Sequence, residues 1–131
     1  MKKILLASLL LGSAVYANMK PQGTYVPQRC SEKKAGVVVC YGTKVGYAGQ
    51  EFISIDENSV HNVYQVVESE PMNAGINPEF FAAKLTLLGD EGVVREVTEY
   101  GSNGEVTTVI LTTLAGESVT VDNFDFVMTT M

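Results

Sequence analysis

Three short glycine-bearing linkers punctuate the C-terminal half of this 131-residue chain: GDEG at 89–92, GSNG at 101–104 and AG at 115–116. They separate the runs "LTLL", "VVREVTEY", "EVTTVILTTL" and "ESVTV", all rich in β-branched residues. Runs of that composition, joined by so few residues, fold most simply as successive antiparallel hairpins. The β-branched side chains suit a pleated surface, and glycine supplies the positive φ that tight turns require.

The same grammar extends upstream. Residues 37–47, "VVVCYGTKVGY", alternate: Val37, Val39, Tyr41, Val45 and Tyr47 fall on one face, and Val38, Cys40, Gly42, Lys44 and Gly46 on the other. That is a strand with one apolar side. "EFISI" (51–55) and "VHNVYQVVE" (60–68) read as strands around a turn at "DENS" (56–59), and 69–79 reads as a loop by its Pro, Gly and Asn content. "NPEFFAAKLTLLG" carries both periods. Asn77 as N-cap and Pro78 at the first helical position point to a helical turn at 78–82, and the alternation that follows points to a strand. Near the end, Val119 and Val121 share one parity while Phe124, Phe126 and Met128 share the other, which calls for a bulge or tight bend at Asp122–Asn123. The expected fold class is all-β with one short helical turn near 78–82: an antiparallel meander closed as a small barrel or folded as a sandwich.

The chain opens "MKKILLASLLLGSAVYA". Two lysines precede a short apolar run, and a small-residue cleavage site follows, with Ala17 as the last residue removed. The apolar run falls short of the roughly 20 residues of a membrane-spanning helix. Residues 1–17 therefore read as a signal peptide, of a type that suggests a bacterium. Residues 18–131 read as a single β-rich domain with an extended N-terminal arm at 18–29, where two prolines and a glycine disfavour a central strand. No later segment approaches the length of a spanning helix, so no integral membrane segment is expected after signal removal. An outer-membrane barrel is a poor fit, because "EFISI" and "ESVTV" are shorter than the about 9–11 residues of a spanning strand.

Export decides the chemistry of Cys30 and Cys40, the two cysteines of the chain. Nine residues separate them, so they are not a CxxC redox pair. With one histidine in the chain, they do not complete a four-ligand zinc site either. In an oxidising compartment the expectation is a disulfide, formed across a hairpin whose turn centres near Ala35 and uses Gly36. The bond would lie on the face of 37–47 opposite the core, beside glycines that leave room for another segment to approach.

Charge is divided unevenly. Residues 18–44 hold Lys20, Arg29, Lys33, Lys34 and Lys44 against Glu32 alone, a net +4, whereas residues 45–131 hold Lys84 and Arg95 against 14 acids, a net −12. Overall acidity disfavours nucleic-acid binding, which needs clustered Lys and Arg. Arg29, Lys33, Lys34 and Lys44 are the candidate binding residues, on charge alone.

No catalytic set assembles from the sequence, and neither a cofactor nor a metal is expected. His61 lacks an identifiable partner, "DENS" and "DNFD" lack the spacing of an EF-hand loop, and the acidic pairs Glu96/Glu99 and Asp122/Asp125 are what so acidic a chain produces by chance. The expectation is a small exported, noncatalytic binding or structural protein of the bacterial envelope, whose partner is a protein or envelope component. The alternatives are an acidic inhibitor of a basic secreted hydrolase and a small carboxylate-dependent hydrolase.

Overall fold

The computed structural model describes residues 23–127. Residues 1–17, read above as a signal peptide, and the first residues of the arm, 18–22, lie outside them, as does Met128. Among the described residues nine strands follow in chain order: β1 (Tyr25–Cys30), β2 (Val37–Lys44), β3 (Phe52–Glu57), β4 (Val60–Met72), β5 (Phe80–Leu88), β6 (Val94–Ser102), β7 (Glu105–Thr112), β8 (Ser118–Asp122) and β9 (Asp125–Phe126). All pairings are antiparallel within one sheet of order β8-β7-β6-β5-β4-β3-β2-β1-β9. Every neighbour up to β8 is a sequence neighbour, so the fold is the expected meander.

The sheet curls into a half-barrel. Residues 118–126 bring its two edges together. β8 hydrogen-bonds to β7 and β9 to β1, yet only Asn123 and Phe124 lie between them. Three residue steps reach at most about 11 Å, so the edges converge there. Asn123 takes φ 59°, and the Glu32 N–H donates to the Asp122 carbonyl at 3.0 Å across the junction. The parity shift at Asp122–Asn123 is thus a tight bend where the chain changes partner.

The concave face holds the core: Val37, Val39, Ile53, Ile55, Tyr64, Ala83, Leu85, Leu87, Val97, Val109, Leu111, Val119, Val121 and Phe124. Alternation explains the membership, because β5 contributes 83, 85 and 87, and β8 contributes 119 and 121. The turns use the expected residues. Ala35 and Gly36 take φ 53° and 78°, and Asn103 and Gly104 take 53° and 81°, the doubly positive pattern of a two-residue hairpin turn.

Three expectations change. The helical turn at 78–82 contracts to a turn at Pro78–Glu79, and β5 begins at Phe80. Asn77 does cap, its Oδ1 accepting from the Glu79 N–H at 2.9 Å, but the following side chains bury better as a strand. β4 runs on to Met72 through Pro71, which shortens the loop to 73–79. Pairing with β3 stops at Gln65, so Pro71 pairs with β5 alone and its missing N–H falls on a free edge. Finally, β2 ends at Lys44, and Val45 is 66 % exposed instead of facing the core, because the chain turns through Gly46 at φ 89°.

Candidate functional site

The inner face carries two polar clusters, one toward each end. At one end Arg95 forks onto Glu57, with Nη1 to Oε1 at 2.7 Å and Nη2 to Oε2 at 3.2 Å, and also donates to the Tyr64 hydroxyl and the Thr112 carbonyl. Glu57 in turn accepts from the Leu114 N–H at 2.9 Å. Every partner is internal, so this cluster joins β3, β4, β6 and the β7–β8 connection and leaves little for a ligand.

The other end is open. The Tyr41 hydroxyl on β2 donates to Glu99 Oε2 on β6 at 2.6 Å across the interior, and its ring meets Phe124 edge-on at 5.7 Å. Burial holds the Glu99 carboxyl above its ordinary range, partly offset by the hydrogen bond from Tyr41. Burial and the nearby Glu99 carboxylate push the Tyr41 phenol far above its usual value, so Tyr41 stays a neutral donor.

Arg29 lies beside this pair. A bulge between Pro27 and Arg29 shifts the β1 register and sets the residue opposite Tyr41 and Phe126. Its guanidinium stacks over the rings of Phe124 and Phe126, at 5.9 and 5.5 Å from their centroids. Nη2–H donates to the Phe124 carbonyl at 3.1 Å, while Nε is buried without a partner. Among the described residues Arg29 forms no ion pair. It lines a groove of about 480 Å³ with Val26, Pro27, Gln28, Tyr41 and Phe126. Phe126 is 74 % exposed.

The other basic candidates do not converge on Arg29. Lys33 and Lys34 occupy the exposed tip of the β1–β2 hairpin, whereas Lys44 ends β2 with its amine over the Phe52 ring at 5.3 Å. From Val37, beside the tip, to Lys44 is about 23 Å along the strand. The stapled hairpin itself forms as expected. Cys30 and Cys40 are directly opposite and joined by a disulfide, on the face away from the core. A segment does approach the neighbouring glycine: a Cβ on Gly42 would meet the Val26 carbonyl oxygen at 2.3 Å, and Tyr25 reaches past it to donate to the Cys40 carbonyl at 3.0 Å.

Glu96 and Glu99 are three residues apart on a strand and so point to opposite faces. Glu96 sits outside near Lys84 (3.6 Å), and Glu99 sits inside. Asp122 and Asp125 lie on either side of the bend. His61 pairs through Nδ1 with the exposed Asp56 directly across the β3–β4 hairpin. No group of three or more His, Cys, Asp and Glu among the described residues could hold a metal ion, and no helix among them is long and apolar enough to cross a membrane.

Tyr41 and the Glu57–Arg95 pair were not singled out from the sequence, and Glu99 was named only as half of an acidic pair with Glu96. The signal was present in "VREVTEY": Arg95 and Glu99 share parity with Val97, so polar side chains occupy an apolar face. No protein-family model, curated protein or solved structure matches the chain.

Proposed function

We propose that the chain is an exported, noncatalytic binding module of the bacterial envelope, and that its partner enters the groove at Arg29 with an acidic group. One observation carries the reading: a guanidinium without an ion pair among the described residues, walled by Phe124 and Phe126, at a groove on a strongly acidic protein. A planar guanidinium recognises carboxylate or phosphate through paired donors. Arginine beside an exposed aromatic ring, here Phe126, is also the composition of interface anchor points. The disulfide suits an oxidising compartment, in keeping with the signal-like N-terminus. The separation of Glu96 from Glu99 leaves the carboxylate-dependent hydrolase without one of the two acid pairs named for it.

The test is capture from an envelope extract on immobilised residues 18–131, comparing wild type, Arg29→Gln and a Lys33→Gln/Lys34→Gln double variant at low and high salt. A partner held by the wild type and the lysine variant, weakened by salt and lost with Arg29→Gln, supports the reading. No enriched partner at either salt, or equal capture by Arg29→Gln, overturns it.

A further inference from the structure

A second groove lies on the convex face, and its lining differs in kind. About 220 Å³ in volume, it is walled by Phe80, Phe81, Tyr100, Gly101, Ser102 and Thr107 together with Ala74. None of these side chains is charged, on a domain rich in acids. Phe80 and Tyr100 are diagonal neighbours on adjacent strands, since Phe80 pairs with Ser102 and Ala82 with Tyr100. Both stand on the same face, and both are exposed.

The local backbone is built around this groove. The β6–β7 register shifts between Tyr100 and Gly101: Tyr100 pairs with Thr108 and Gly101 with Val106, which leaves Thr107 as the extra, unpaired residue of a bulge. Such bulges re-aim side chains and recur beside binding sites. The Thr107 hydroxyl returns to the Tyr100 carbonyl at 3.3 Å, which fixes its position on the groove wall. Gly101 is required, because a Cβ there would meet the Phe81 ring at 2.3 Å and the Glu105 carbonyl oxygen at 2.2 Å. Phe81 shares the parity of Ala83 and Leu85, so its ring covers Gly101 from the concave side and backs the groove.

We infer that this groove binds a neutral carbohydrate, one sugar ring stacking on Phe80 and Tyr100 while the hydroxyls of Ser102, Thr107 and Tyr100 bond its rim. Aromatic faces match the apolar C–H face of a pyranose, and uncharged hydroxyls match its edge. A charged ligand finds no counter-ion in the lining. A wholly apolar partner would leave the hydroxyl rim without hydrogen bonds. The volume, below the about 300–1,000 Å³ of an enclosing pocket, suits a platform that grips one ring of a longer chain. The site is distinct from the Arg29 groove and does not depend on it.

Co-sedimentation with purified cell-wall sacculi and with chitin, and two-dimensional NMR titration with cellohexaose and with the N-acetylglucosamine hexamer, test the assignment on residues 18–131. The expected result is saturable binding to at least one of these, with shifts confined to Phe80, Tyr100 and Thr107 and their neighbours. Binding should be unchanged by salt, weakened at least tenfold in both Phe80→Ala and Tyr100→Ala, and intact in Phe126→Ala and Arg29→Gln. Because Phe80 and Tyr100 are exposed, their truncation should leave the fold in place, and the amide spectrum checks this directly. No binding to any of the four, binding that both alanine variants retain, or binding abolished by salt overturns the proposal. The Arg29 reading fails separately, through its own salt-sensitive capture.

Discussion

The Arg95 guanidinium meets the Glu57 carboxylate at 2.7 Å with both side chains more than nine-tenths buried, at 8 % and 6 % exposure. Thirty-eight residues of sequence separate them, and the curl of the sheet brings β3 and β6 close enough to share one ion pair. Breaking such a pair from one side leaves an uncompensated buried charge. Arg95→Met is therefore expected to destabilise the protein by about 3–5 kcal/mol, while Arg95→Met combined with Glu57→Leu recovers much of the loss. Urea unfolding of the two variants checks this, and equal losses would show that packing, not charge, dominates the cluster.

The Cys30–Cys40 bond closes a short loop. In the chain-entropy account its reduction lowers stability by about 3 kcal/mol. A lower melting temperature in reductant, together with no titratable thiol in the native protein, is the expected pair of results.

Glu99 makes stability depend on pH in a defined direction. Burial raises its folded-state pKa above the ordinary value of 4.5, so the folded protein takes up a proton more readily than the unfolded chain. Its stabilising contribution is full below about pH 4.5 and is lost as pH rises through the folded-state value. Glu99→Gln removes the titration and keeps an acceptor for Tyr41. Relative to that variant, the wild type should lose stability as pH rises above about 4.5, as measured by thermal unfolding across a pH series. A constant gap would mean that Glu99 titrates as it does in the unfolded chain.

At Gly42 the backbone of β1 lies close against β2. A methyl group there collides with the Val26 carbonyl oxygen at 2.3 Å and the Pro27 Cα at 2.9 Å, both backbone atoms that cannot swing aside. Gly42→Ala should cost about 1–3 kcal/mol. The matching change at Gly46 meets nothing within 4 Å, and its penalty comes from the positive φ of 89° alone. Unfolding midpoints of the two variants compare crowding with backbone strain.

Much of the fold was legible because the strand period is local. "VVVCYGTKVGY" placed Val37 and Val39 in the core and Cys40 away from it, and the linkers at 89–92, 101–104 and 115–116 each became a hairpin connection. Misreadings came where two local preferences competed. Asn77 and Pro78 carry real helix-start chemistry, yet Ala83, Leu85 and Leu87 bury only if the segment is a strand. Pro71 disfavours pairing in general, but not on the free side of β4.

The site was less legible. Charge along the chain picked out Arg29, and the same count grouped it with Lys44, which the direction of β2 carries to the far end of the hairpin. Nothing in the linear order joins Arg29 to Phe124, 95 residues away, or Tyr41 to Glu99.

The sequence by itself determined most of the strands, their faces, the hairpin turns and the cysteine partner, because these depend on alternation and on residues within one hairpin's reach. Only the tertiary structure decided which way the sheet curls shut and which polar groups meet inside it. Closure depends on a two-residue bend at Asn123–Phe124 that sends one run of chain to β7 and then to β1, and on the summed curvature of nine strands, a property that no single segment encodes.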